Sequence, residues 1–281
     1  MLPRPLIRPA ELAPHIGDVR LIEACGATDA ATLASRPTIV NAVRVGYSDL
    51  AARVDDAAFG GRHPLPPIEE FCKLVASWGI DATTSVAIVD SATLAMDAGA
   101  RCYWMLRAIG LTDVRYVTTT MPELLAACGR NTALPPSASV ATLTPAHWLM
   151  PIVDIEGIEA ARQDPKRRIF DARTNPRYRG DVEPIDPVAG HIPGSRNAPF
   201  ADDLETPTSM KSDEALRARY TELMKNISAD NTIVYCGSGV TACQTLIAME
   251  AAGFPNAILY VGSWSEWSRR LDKPIGRGDE I

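Results

Sequence analysis

Copies of one segment within a chain must fold alike, so internal similarity constrains this sequence more than any single residue does. Leu6-Ile7-Arg8-Pro9-Ala10-Glu11-Leu12 resembles Leu143-Thr144-Pro145-Ala146-His147-Trp148-Leu149, each a short turn into a helix start with proline near the first helical position. Residues 37–42 match 193–198 through Asn41-Ala42 and Asn197-Ala198. Val86-Ala87-Ile88-Val89-Asp90 corresponds to Thr232-Ile233-Val234-Tyr235-Cys236, and Leu106-Arg107-Ala108-Ile109-Gly110 to Met249-Glu250-Ala251-Ala252-Gly253. A further apolar run follows in each half, Val114 to Val117 and Ala257 to Val261. The spacing drifts by insertions, which suits an old duplication of one domain and not a solenoid. A length of 281 residues also suits two domains at about 100 to 200 residues each. The expected division is residues 1–134 and 143–281, with the Pro/Ser-rich stretch 132–139 placing a linker at about 135–142.

Within each half, short apolar runs alternate with segments of helical period. Arg168-Ile169-Phe170-Asp171, Thr232 to Tyr235 and Ile258 to Val261 read as buried strands, and Ala242 to Ala252 as a helix. Buried strands separated by helices predict an α/β fold in which each mostly parallel sheet is covered by helices on both faces. Ligands of such sheets sit at the carboxyl ends of the strands. Cys236 falls there.

Composition narrows what that ligand can be. Net charge is -6 and the dense basic runs reduce to Lys166-Arg167-Arg168, a solvated turn, so neither a nucleic acid nor a membrane is expected as partner. Small anions or a protein fit better. The cysteines at 25, 72, 102, 128, 236 and 243 form no short Cys-x-x-Cys pair and no His/Cys cluster. No metal or organic cofactor is indicated, and scattered thiols suit a reducing compartment. Prolines interrupt the first ten residues where a signal peptide needs a continuous apolar core, and no run of about 18 apolar residues occurs, so the expected location is cytoplasmic.

Cys236-Gly237-Ser238-Gly239-Val240-Thr241 places a thiol between a buried strand and a helix start. Gly237 and Gly239 allow backbone angles closed to other residues, so successive N–H groups can turn inward. The helix opening at Thr241 adds partial positive charge. A sulfur at the centre of that cradle is stabilised as an anion, which is how a nucleophilic cysteine is built.

This loop resembles the active-site loop of the rhodanese superfamily, in the form seen in 3-mercaptopyruvate sulfurtransferases. Phe170-Asp171-Ala172-Arg173, Arg177-Tyr178-Arg179-Gly180, the stretch 190–200 opening Gly190-His191-Ile192-Pro193-Gly194, and Gly262-Ser263-Trp264-Ser265-Glu266-Trp267 resemble further signatures of that family. Together they span residues 143–275, with the first half as the weaker copy. The resemblance implies two tandem rhodanese-like domains and a sulfurtransferase. In it, Cys236 takes the outer sulfur of 3-mercaptopyruvate or thiosulfate as a persulfide and passes it to a thiol, cyanide or a thioredoxin-like acceptor. It also implies a structural first half, because Asp90 stands at the cysteine position and the segment 90–97 carries carboxylates where an anion cradle would be.

The same resemblance assigns roles. Arg177 binds the carboxylate or sulfonate of a small anionic sulfur donor, to which a guanidinium offers fixed bidentate geometry. Gly237, Gly239 and Val240 contact substrate, Ser238 and Thr241 act beside Cys236, and His63 with a loosely placed Asp49 completes a proton relay through Ser238. Asp171 and Arg173, which follow a strand, brace the loop from behind. A second arginine expected nine residues beyond Arg177 is missing: Asp186 stands there, leaving Arg179 and Arg196 as alternatives. Cys243, His191, Trp264 and Trp267 read as packing residues.

Two other functions compete. A cysteine phosphatase on this fold needs a phosphate-clamping arginine where Ala242 stands. A sulfur-carrier module would keep Cys236 but hand its persulfide to a protein without small-molecule turnover. Between the two donors, the uncharged Gly237-Ser238 suits a monocarboxylate thiol and favours 3-mercaptopyruvate, whereas basic side chains there would suit thiosulfate.

Overall fold

The computed structural model describes residues 4–26, 35–92, 98–129, 132–137 and 141–279. The chain forms two compact units: residues 1–52, 66–149 and 205–210 make the first, and 53–65, 150–204 and 211–281 the second. Neither is contiguous in sequence, and the longest pieces meet at Leu149 and Met150.

In the first unit β1 (Leu6–Ile7), β2 (Arg20–Gly26), β3 (Val43–Gly46), β4 (Val86–Asp90) and β5 (Val114–Thr120) form a parallel sheet in the order β1-β5-β4-β2-β3. In the second, β6 (Ile152–Val153), β7 (Arg168–Asp171), β8 (Arg196–Asn197), β9 (Thr232–Tyr235) and β10 (Ile258–Tyr260) repeat it as β6-β10-β9-β7-β8. The central strands are buried on both faces and carry mostly apolar residues there. Leu21, Ala87, Val89 and Val117 share a core with Leu12, Ile16, Met121 and Leu124, while Ile22, Ile88 and Tyr116 between them are fully buried on the other side. In the second unit Ile169, Ile233, Tyr235 and Tyr260 pack with Ile155, Ile158, Trp264 and Trp267, and the intervening Phe170, Val234 and Leu259 are equally buried.

Register confirms the duplication and corrects two of its matches. Arg20 pairs with Val86 and Arg168 with Thr232, so Asp90 occupies the position of Cys236. By the same ladders Leu6-Ile7 corresponds to Ile152-Val153, not to Leu143-Thr144, because these pairs face Tyr116-Val117 and Leu259-Tyr260. Residues 143–149 form neither strand nor helix. The counterpart of Asn197, which pairs with Asp171, is Arg44, which pairs with Glu23, and not Asn41. Proline and asparagine recur in turns of any fold, so matches through them follow composition, whereas ladders follow hydrogen bonds.

Asp90 serves the first unit as an acceptor. Its buried carboxylate receives the Gly99 N–H at 2.7 Å and the Tyr116 hydroxyl. Residues 93–97 of the segment 90–97 lie outside the described residues, as do 138–140 of the stretch 135–142. All six cysteines are free and buried. Among the described residues no helix is long and apolar enough to cross a membrane. Replacing Asp90 by alanine strands a buried amide and a buried phenol, so Asp90→Ala should lower stability by about 2 to 4 kcal/mol. Urea unfolding measures this, and an unchanged midpoint would show the carboxylate to be dispensable.

Candidate active site

Cys236 follows the last residue of β9 and is 1% exposed. The chain then curls back through Gly239, whose φ is +76° and where a Cβ would stand 2.6 Å from the Val261 carbonyl, so glycine is required. The Gly239 N–H donates to Cys236 Sγ at 3.2 Å. Val240, buried, caps the helix Thr241–Ala251, whose first turn therefore opens directly beside the loop. Cys243 lies one turn in, its thiol donating to the Gly239 carbonyl at 3.3 Å within the packed interior.

The five-residue helix Ser263–Trp267 holds the loop from its other side. The Cys236 N–H donates to Ser263 Oγ at 3.2 Å, and that hydroxyl donates to the Tyr260 carbonyl at 2.9 Å. The Trp264 and Ser265 amides donate to the Cys236 and Gly237 carbonyls at 3.0 and 2.9 Å. Trp264 and Trp267 are wholly buried. Their indole N–H groups donate to the Val188 and Pro274 carbonyls.

The same helix fixes residues 60–63. The Gly60 N–H donates to the Glu266 carboxylate at 2.9 Å and the Arg62 N–H to Ser265 Oγ at 3.0 Å. His63 Nδ1 then lies 2.9 Å from Ser238 Oγ. Asp49 is in the first unit, where its carboxylate accepts the Gly46 N–H at 2.8 Å.

Charges crowd behind the loop in buried pairs. Arg173 is buried between Asp171 at 2.6 Å, Glu183 at 3.1 Å and the Gly190 carbonyl at 2.7 Å, with its guanidinium 4.6 Å from the centre of the Trp264 ring. Burial would lower its basicity, but the Asp171 and Glu183 carboxylates raise it above the usual arginine value. Burial likewise pushes the Glu183 carboxyl up, and hydrogen bonds from Arg177 and from the Asp186 and Ile185 amides more than offset this, holding it below the ordinary range. Arg177, in the short helix Asn175–Arg179, donates to Glu183 at 2.7 and 3.2 Å. His191 stacks on Tyr178 with ring centres 3.9 Å apart and bonds its carbonyl, a packing role.

Three arginines gather around Asp186. That carboxylate is buried and receives Arg62 together with Arg269 at 2.8 Å, with Arg177 at 3.7 Å. A Cβ on Gly237 would find Arg62 Nη2 at 3.4 Å and the Arg177 Nη atoms at 3.5 and 3.6 Å as its nearest neighbours, not Arg179 or Arg196. Arg179 is paired with Asp181 and Asp279, and Arg196 opens β8. Arg62, Arg269 and Glu183 escape a reading by local motif. The available signal was an acid where an arginine was expected, and an arginine directly before His63.

A family model described as Rhodanese-like domain matches residues 155–270. The chain is 36% identical over 236 residues to a probable 3-mercaptopyruvate sulfurtransferase of Pseudomonas aeruginosa, covering 82% of this chain and 81% of that one. It is 34% identical over 222 residues to a putative thiosulfate sulfurtransferase of Mycobacterium tuberculosis, covering 78% and 76%. Among solved structures, a 3-mercaptopyruvate sulfurtransferase from Leishmania major superposes with a TM-score of 0.77 at 27% identity, over 96% of this chain and 75% of that one.

In Gly239→Ala a side chain is forced into positive φ against Val261 and withdraws the amide from the sulfur. Loss of that hydrogen bond should slow alkylation of Cys236 by iodoacetamide about 10- to 100-fold. Peptide mass spectrometry reads the rate, and wild-type reactivity would remove that amide from the account.

Proposed function

Because the chain belongs to the tandem-domain rhodanese family of sulfurtransferases, we propose that it moves a sulfane sulfur from 3-mercaptopyruvate to a thiol or cyanide through a persulfide on Cys236. The observation that carries this is the setting of the thiol: the Gly239 amide aimed at its sulfur, a helix opening beside it, and two guanidiniums over the next residue. The Cys236 thiolate attacks the donor sulfur, the carbon–sulfur bond breaks, and pyruvate departs as its enolate, leaving the outer sulfur on Cys236. An acceptor thiolate, or cyanide, then takes that outer sulfur and Cys236 leaves as thiolate. Each step breaks one bond to sulfur and forms one, so no external oxidant or reductant enters.

His63 and Ser238 supply a hydrogen-bonded path for the proton that the enolate needs. Arg177 binds the donor carboxylate, and Gly237, Gly239 and Val240 shape the space around the sulfur. Thr241 adds the first helical amide region beneath it, and Asp171 with Arg173 keeps the loop in place. The uncharged Gly237-Ser238 pair supports a monocarboxylate donor over thiosulfate. A thioredoxin-like protein is a suitable acceptor, and the reaction requires neither metal nor organic cofactor. Residues 1–134 carry the inactive copy, with Asp90 in place of a nucleophile, and 143–281 the catalytic one, whose unit begins at Met150 and takes in residues 53–65. A cytoplasmic location suits the free thiols.

Given 3-mercaptopyruvate and cyanide, the protein should release thiocyanate, and donor alone should add about 32 Da to Cys236, one sulfur on a thiolate. Cys236→Ser should lose both; turnover retained by this variant would reject the persulfide. Sulfur uptake with no thiocyanate would instead make the protein a carrier. His63→Ala should lower kcat about 10²-fold or more with little change in KM. Unaltered kcat would take the histidine out of the proton path.

A further inference from the structure

Seven buried or half-buried charges form a connected set of ion pairs that reaches Gly237 through Arg62 and Arg177. Asp171 is matched by Arg173, Glu183 is shared by Arg173 and Arg177, and Asp186 is shared by Arg62 and Arg269 with Arg177 nearby. Within these ion pairs four guanidiniums face three carboxylates. Two of the guanidiniums reach Gly237. Arg62 commits Nη1 to Asp186 and brings Nη2 to Gly237. Arg177 commits Nε and Nη2 to Glu183 and brings Nη1 to within 3.6 Å of the same position. Both guanidiniums thus border the residue that follows the nucleophilic sulfur.

Arg62 is also held in place before any ligand arrives. Its own amide is bonded to Ser265, its neighbour Gly60 to Glu266, and Gly61 has φ of +80° where a side chain would collide with the Gly262 carbonyl. A guanidinium fixed in advance loses little entropy on binding. Without Asp186 the arginines at 62, 177 and 269 would repel one another; with it, Arg62 is anchored and the excess charge is trimmed to one.

We propose that Arg62 is a donor-binding and specificity-determining residue: with Arg177 it grips the single carboxylate of a small thiol-bearing oxo acid above Gly237, and Asp186 sets the charge so that a monocarboxylate is preferred to a dianion such as thiosulfate. The inference rests on the sulfurtransferase reading. The arginine thus reaches the site from residues 53–65, on the far side of the sequence from Arg177.

Steady-state assays with cyanide and each donor test it on the 281-residue chain. Removing one charged hydrogen-bond donor in Arg62→Ala should raise KM for 3-mercaptopyruvate about 10- to 100-fold while kcat stays within about threefold. Arg62→Lys should recover part of the loss. Asp186→Asn, by adding net positive charge, should shift the ratio of kcat/KM values toward thiosulfate. A wild-type KM in Arg62→Ala overturns the inference, as does a loss confined to kcat and equal for both donors, the signature of a purely structural residue. If Arg62→Ala does not fold, Arg62→Gln, which keeps a polar arm, carries the same KM criterion. Absence of both thiocyanate and added sulfur in the wild-type protein would overturn the underlying reading instead, so the two failures are told apart.

Discussion

Arg173 is a guanidinium taken out of water, 2% exposed, and it stays there because Asp171 and Glu183 accompany it. Breaking such a buried pair costs several kcal/mol, since the partner left behind keeps its charge. The pair ties the end of β7 to the turn at Glu183 and to the Gly190 carbonyl, and Trp264 lies against its face. Trp264 begins the segment whose amides grip the Cys236 loop. Position and orientation of the thiol therefore descend from one buried charge and its carboxylates.

The two units show how much of this belongs to the scaffold and how much to the site. Glu23 occupies the register position of Asp171, is equally buried, and accepts from Arg44 and Ser91. A carboxylate under the loop is thus common to both copies. What differs lies at the end of the central strand: Asp90 draws an amide and a phenol inward as an acceptor, whereas at Cys236 an amide turns toward sulfur. The first copy keeps the fold and has no thiol at that position.

Where the sequence was informative, the interactions were local. A strand, a cysteine, a glycine required at positive φ and a helix start follow one another within ten residues, so the Cys236 loop was legible without coordinates. Buried apolar runs announced parallel sheets because strands covered on both faces are mostly apolar. The matches through Pro9 and Asn41 slipped because turn residues carry little register information, and only the ladders place Ile152 opposite Leu259.

From residue order alone came the duplication, the parallel sheets, the thiol at a strand end and the empty arginine position at 186. All of these are properties of neighbours along the chain or of periodic burial. The tertiary structure alone decided that residues 60–63 join the second unit and that Asp186 gathers Arg62 and Arg269. The contacts of Asp186 join residues 83 and 124 positions apart. They arise because a buried carboxylate must find a cation wherever the fold brings one within reach, a demand of the low-dielectric interior that no local pattern encodes.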